Sequence, residues 1–298
     1  MSKTVLVTGA TGKQGGAVIR GLQDSPDTLI LALTRNTSSP SAQRLAALEN
    51  VKLVQGDLSD PSAIFTNAKE VAKRPVWGVY FVQANDNDKD GSIEETQGKA
   101  FVNAAIAAKV QHFVYASVDR GNSQGPTQVP TWDAKARIEK LLEQRAPEAG
   151  MSVVMLRPTG FMENLSDDFF GKVLSTAWRQ VLKEKPMQLV AVKDIGYFGA
   201  QALKYPDEFA GRYVSLAGAS LTWEQANNVF KSKIGKDMPT TFGIVPHIVL
   251  KLAKEFQFMF KWLKNEGNTA DVEECKRLHP GLLDFGTWLV TESDFKTQ

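Results

Sequence analysis

The sequence predicts an α/β chain, with a doubly wound parallel sheet followed by a smaller α+β lobe. Three observations carry that expectation. Short apolar runs alternate with helical patterns from Thr4 to Pro158. The first run ends in Thr8-Gly9-Ala10-Thr11-Gly12-Lys13-Gln14-Gly15, with glycine at every third position, and a helical pattern follows through Val18, Ile19 and Leu22. Beyond Asn164 the alternation weakens into mixed segments. Strands that alternate with helices form parallel sheets covered on both faces, and their crossovers are right-handed. The expected boundaries are 1–159 for the sheet domain and 160–298 for the lobe.

The glycine turn is the first element with chemistry in it. Glycine admits unusual backbone angles and lets a ligand come close to the main chain. The helix that follows presents unpaired N–H groups and the positive end of its dipole, which suits a phosphate. A strand, a tight glycine turn and a helix together form the phosphate-binding element of the dinucleotide-binding Rossmann fold. The spacing is G-x-x-G-x-x-G, which differs from the usual dehydrogenase fingerprint, so the surrounding elements have to support the reading.

Leu29 to Leu33 reads as the second strand and ends at Thr34-Arg35-Asn36. About twenty residues past such a turn, NAD-binding proteins place a carboxylate on the ribose 2′-hydroxyl. Arg35 stands there instead, and a guanidinium pairs with a 2′-phosphate that a carboxylate would repel. Lys13 is a second nearby cation, so NADP(H) is favoured over NAD(H). Ser41 to Leu48 reads as a helix, and Val51 to Val54 as the third strand, followed by Gly56-Asp57-Leu58. Asp57, just past a strand's carboxyl end, is placed for the adenine amine. Asp60-Pro61 reads as a helix start, with Asp as N-cap and Pro in the first turn.

Trp77 to Val82 is the fourth strand and runs into Gln83-Ala84-Asn85, with a polar loop continuing to Gly91. Ile93 to Val110 reads as a long helix, and Phe113 to Ala116 as the fifth strand with Ser117 at its end. Asp119 to Pro130 is rich in Gly, Ser and Pro and is expected to be a lid or binding loop. Thr131 to Arg145 is a helix carrying Lys135, and Val153 to Leu156 is the sixth strand. In the lobe, Ser166 to Glu184 reads as a helix and Met187 to Val192 as a strand. Asp194 is expected to cap a helix, and Thr222 with Gln225 to form a capping box. Val245 to Leu263 is strongly apolar and aromatic, a surface that something must cover.

The totals exclude several classes. The 298 residues carry a formal net charge of +2 and no basic run, which argues against nucleic acid as a partner. Cys275 is the only cysteine, and the three histidines are scattered, so no disulfide and no metal site is expected. No leader is visible and no apolar run reaches membrane-span length, so no membrane association and a cytoplasmic location, compatible also with the nucleus, are expected.

Carbonyl reduction on such a sheet needs a proton donor. In short-chain dehydrogenases this is a tyrosine four residues before a lysine, with a serine at the end of the fifth strand. Ser117 and Lys135 occupy two of the three places and are the candidate catalytic residues. The tyrosine's place holds Thr131, whose hydroxyl is far too weak an acid to replace a phenol.

Taken together, the Thr8 to Gly15 turn, Thr34-Arg35-Asn36, Gln55-Gly56-Asp57, Gln97-Gly98, Lys135 and Phe161-Met162-Glu163-Asn164 resemble the NmrA-like proteins, which are atypical short-chain dehydrogenases. The resemblance extends into the lobe through Asp194-Ile195-Gly196 and Leu221-Thr222. It implies an NADP(H)-binding Rossmann domain with a small C-terminal lobe. By position it assigns Gly9, Ala10, Thr11, Gly12, Lys13 and Gln14 to the pyrophosphate and Arg35 to the 2′-phosphate. Asp57 and Leu58 fall to the adenine, and Gln83, Ala84 and Asn85 to the ribose side. Lys135 and Phe161, Met162, Glu163 and Asn164 fall to the nicotinamide. Where the family often has a lysine before its Gln-Gly pair, this chain has Thr96. The resemblance implies one of two roles. One is a redox sensor or regulator that binds a partner protein. The other is an NADPH-dependent reductase of a small carbonyl, enone or imine.

Overall fold

The computed structural model describes residues 3–83, 88, 90–123 and 125–296. The first half is a regular alternation: β1 (Lys3–Val7), α1 (Lys13–Gly21), β2 (Thr28–Thr34), α2 (Pro40–Ala46), β3 (Val51–Gln55), α3 (Pro61–Ala72), β4 (Gly78–Phe81), α4 (Ser92–Ala107), β5 (His112–Ala116), α5 (Pro130–Arg145) and β6 (Ser152–Pro158). Then come β7 (Gly160–Phe161), α6 (Phe169–Ala177), β8 (Met187–Val190), α7 (Val192–Lys204), α8 (Pro206–Phe209) and β9 (Tyr213–Leu216). The chain continues through β10 (Ala219–Leu221), α9 (Trp223–Ile234), α10 (Ile244–Leu252), α11 (Lys254–Asn265), α12 (Val272–Leu278) and α13 (Phe285–Thr291).

The main sheet has seven strands in the order β3-β2-β1-β4-β5-β6-β9, and its first six strands pair in parallel. The order reverses direction at β1, between β2 and β4, which is where such sheets open a crevice at the strands' carboxyl ends. The inner strands β1, β4 and β5 are buried without alternation because helices cover both faces, whereas the outer β3 exposes Lys52 and Gln55. β5, for example, is buried at every position.

The chain forms two compact units. The first comprises Met1–Ser117, Ala134–Leu156 and Ile195–Val214, and the second Val118–Asp133, Arg157–Asp194 and Ser215–Gln298. The first is built on a core of Leu6, Leu31, Phe81, Phe101, Phe113 and Tyr115, with Phe81 stacked on Phe101 at 4.3 Å. Its α1 meets α7 through small residues. A Cβ on Gly196 would lie 2.4 Å from the Ala17 Cβ, and one on Gly199 would lie 2.7 Å from the Tyr80 ring. The helix that opens at the glycine turn is thereby locked against its neighbour.

The second unit holds a small sheet in the order β10-β8-β7 and a core around Trp178, Phe230, Phe260, Phe285 and Trp288. The expected capping box is present: Thr222 accepts from the Gln225 N–H, and the Gln225 side chain accepts from the Thr222 N–H. Asp194, expected as an N-cap, lies inside the first turn of a helix that begins at Val192. Its buried carboxylate accepts instead from His279 Nε2 at 3.0 Å and from the Leu283 N–H at 3.0 Å. The long apolar segment divides at Ala253, whose extended backbone (φ −102°, ψ 90°) separates α10 from α11.

The loop expected as a lid is pinned within the second unit. Asp119, 2% exposed, accepts from the Gly121 N–H and the Asn268 amide. The Trp262 indole donates to the Ser123 hydroxyl at 3.0 Å, and Thr127 donates through its N–H and its hydroxyl to Asp133.

Candidate functional site

The glycine turn is held from below by Thr8. Its hydroxyl donates to the Val82 carbonyl at 2.7 Å and accepts from the Val82 N–H at 2.8 Å, tying the end of β1 to the end of β4. Gly9 has φ +55°, where a side chain would be strained, and the Gly12 N–H closes the turn on the Gly9 carbonyl at 2.9 Å. Gly15 is needed for a different reason. A Cβ there would lie 2.4 Å from the Gly9 oxygen, so the first turn of α1 rests directly on the glycine turn. Gly12, at the N-cap, offers no side-chain acceptor to the helix, and the first turn holds no acid. No side chain of the helix's own first turn therefore competes for its amide donors or for the positive end of its dipole. Thr11, Gly12 and Lys13 are exposed around this end, while Ala10 is buried beneath it.

Gln14 is half-buried, and its side-chain oxygen accepts from the Tyr80 hydroxyl at 3.3 Å. Burial raises the Tyr80 phenol far above its ordinary range. Arg35 follows the end of β2 with its side chain exposed, and its carbonyl accepts from the Gln55 amide. Asp57 accepts from the Ser59 N–H at 2.9 Å. Hydrogen bonds from Ser59 hold its carboxyl below the usual carboxylate range, and the Arg35 charge adds to the effect. Asp57 thus stays ionised while shaping the turn after β3. Leu58 beside it is half-buried.

At the end of β4, Gln83 is 9% exposed and its amide donates to the Glu94 carbonyl at 3.1 Å. Ala84 and Asn85 lie outside the described residues. At the end of β5, Ser117 is 5% exposed and its N–H donates to the Leu156 carbonyl at 2.8 Å. Its hydroxyl has no hydrogen-bond partner among the described residues.

Lys135 is engaged more fully than its place in the sequence suggests. Its ammonium lies 2.5 Å from the Glu94 carboxylate, 3.3 Å from the Ala116 carbonyl and 5.7 Å from the centre of the Tyr115 ring. Sequence reasoning missed Glu94. The signal was present in charge, since Glu94-Glu95 opens α4 while Lys135 and Arg137 lie on α5, and Arg137 pairs with Glu95 at 2.6 Å. One turn before Lys135, the Thr131 hydroxyl donates to the Glu255 carboxylate. Its neighbour Trp132 packs edge-on against Trp262 at 5.1 Å.

The first unit therefore gathers the glycine turn, Arg35, Asp57, Leu58, Gln83, Ser117 and Lys135 along the carboxyl ends of β1 to β5. Phe161 to Asn164 belong to the second unit. There Phe161 ends β7 half-buried, Met162 lies in the core and Asn164 is exposed. Glu163 accepts from the Val192 N–H at 2.9 Å and from the Trp288 indole at 3.2 Å.

A doubly wound sheet with a glycine turn at its switch point defines a Rossmann-type protein. The chain belongs to the NmrA-like family, whose model matches residues 1–288. It is 30% identical over 262 residues to an NmrA-like family domain-containing oxidoreductase, cpsB, of Aspergillus campestris, covering 80% of this chain and 75% of that one. Among the solved structures that share its fold are two crystallised with a nicotinamide nucleotide. The crystal structure of NmrA, a negative transcriptional regulator, in complex with NADP superposes with a TM-score of 0.71 at 16% identity, over 97% of this chain and 94% of that one. The NADPH-dependent quinone oxidoreductase QOR2 of Escherichia coli, crystallised with NADPH, superposes with a TM-score of 0.73 at 21% identity, over 95% and 97%.

Proposed function

We propose that this chain binds NADP(H) at the carboxyl edge of its sheet and acts as a redox sensor or regulator that responds to the nucleotide. The cradle fits such a ligand. Close approach of the backbone at Gly9 and Gly15 and the uncapped start of α1 suit a pyrophosphate. Gly9 to Gln14 would hold the pyrophosphate, Arg35 with Lys13 the 2′-phosphate, and Asp57 with Leu58 the adenine. Gln83 would stand on the ribose side and Lys135 at the nicotinamide ribose. NmrA, crystallised with NADP and described as a transcriptional regulator, supports this reading, while QOR2 with NADPH supports its nucleotide part alone.

The observation that carries the sensor reading is the pair formed by Lys135 and Glu94. The Glu94 carboxylate is nearly buried, and among the described residues Lys135 is the cation that compensates it. Giving a proton to a substrate would strand that carboxylate. Thr131, in the place of the usual donor, has its hydroxyl committed to Glu255. The nicotinamide nucleotide would supply a hydride when bound, but neither Thr131 nor Lys135, among the described residues, is free to give the accompanying proton.

The second reading is an NADPH-dependent reductase. It is favoured by the name of the Aspergillus relative and by the buried Ser117 hydroxyl, which has no partner among the described residues and could hold a substrate oxygen. NADPH oxidation against a panel of quinones, enones and imines separates the two. The sensor reading expects tight NADPH binding with turnover near the uncatalysed level. Rapid oxidation that Lys135→Met abolishes far more than it weakens NADPH binding would establish the reductase.

A further inference from the structure

We propose that Glu94 is a positioning residue, fixing the Lys135 ammonium in the orientation from which it meets the nucleotide; this rests on the NADP(H) reading above. Glu94 lies in the first turn of α4, where the helix dipole favours a carboxylate. Its backbone is clamped on both sides. Its N–H donates to Asp88 Oδ2 at 2.6 Å, and its carbonyl accepts from the Gln83 amide at 3.1 Å. Asp88 and Gln83 are themselves 8% and 9% exposed, so the clamp is buried. The Glu94 and Lys135 side chains are 7% and 15% exposed, and at 2.5 Å their charges neutralise each other largely out of water.

A lysine carries three N–H donors on a flexible four-carbon stem. Glu94 and the Ala116 carbonyl occupy two of them and define the direction of the third. That leaves one aimed donor for a ligand hydroxyl. The clamp also makes Gln83 and Asp88 part of the device, because they hold Glu94 and Glu94 holds the lysine. Glu94 therefore touches no ligand in this scheme and acts through Lys135.

Two readouts test this, one of them independent of the nucleotide. In the protein without nucleotide, Lys135 is acylated with acetic anhydride and quantified by mass spectrometry against Lys69. Glu94→Gln should raise the Lys135 rate at least threefold while leaving Lys69 unchanged. NADPH affinity should fall about tenfold in Glu94→Gln, and Glu94→Gln added to Lys135→Met should weaken binding no further than Lys135→Met alone, since a residue acting only through its partner is non-additive with it. If Glu94→Gln does not fold, Glu94→Asp keeps the charge on a shorter arm, and the same two changes are expected in it. Unchanged Lys135 labelling, or a double variant that loses affinity additively, overturns the proposal. Wild-type protein that fails to bind NADPH instead overturns the cofactor reading, and the labelling result still decides whether Glu94 holds the lysine.

Discussion

Gly12 and Gly15 sit three residues apart and are needed for different reasons. At Gly15 an added Cβ meets the Gly9 oxygen at 2.4 Å and the Gly9 carbon at 2.6 Å, and no flexible side chain is there to yield. Gly15→Ala is expected to cost about 1–3 kcal/mol in urea unfolding, as overpacked sites do, and to lose nucleotide binding. At Gly12, φ is −89° and the added Cβ is 3.2 Å from the Gly9 oxygen, so the fold should survive Gly12→Val while calorimetry shows NADPH binding lost. His112 contributes to the response to acid. His112 is 1% exposed, with Nε2 on the Ala202 carbonyl at 2.9 Å and Nδ1 on the Ser152 hydroxyl at 2.7 Å. Burial lowers its pKa from 6.5 to about 4, the hydrogen bond to Ala202 opposing the shift and the Lys3 charge adding to it. The folded state thus holds the neutral ring, and the unfolded chain takes up the proton first. This contribution is complete above pH 6.5 and is lost as pH falls from 6.5 towards 4, about 3 kcal/mol in all. Urea midpoints across that window should show the loss in the wild type and a shallower slope in His112→Gln.

Local chemistry made some elements legible, and distant partners hid others. Asp60 with Pro61 and Thr222 with Gln225 are signals contained within one turn, and both formed as read. Thr222→Ala should lower stability by about 1 kcal/mol in chemical unfolding. Asp194 has the composition of a cap, but its partners His279 and Leu283 come from far along the chain, which no short window shows. The break at Ala253 carries no glycine or proline to announce it. Glu94 was hidden in the same way as the partners of Asp194, since its pairing with Lys135 depends on which helices the sheet order makes neighbours. α10 is apolar apart from His247 and Lys251, and Ile248 and Leu252 are 51% and 80% exposed. Ile248→Gln and Leu252→Gln should therefore leave the melting free energy within about 0.5 kcal/mol, as exposed positions do.

At the scale of the whole molecule, the parallel sheet was readable because its signal repeats: each buried strand and each covering helix makes the next one expected. The candidate site was readable for the same reason, since a doubly wound sheet sends the ends of its strands to one edge. The second unit lacks such a repeat, and its small sheet joins strands by antiparallel and parallel pairings together. Among the described residues no helix is long and apolar enough to cross a membrane. The central claim is that this edge binds NADP(H) and recognises the 2′-phosphate through Arg35. Isothermal titration of the wild type and Arg35→Ala with NADPH and NADH tests it most directly. NADPH should bind the wild type more tightly than NADH, and Arg35→Ala should remove most of that difference, about 1–3 kcal/mol for hydrogen bonds to a charged group. Equal affinity of the wild type for the two nucleotides, or binding of neither, would contradict it.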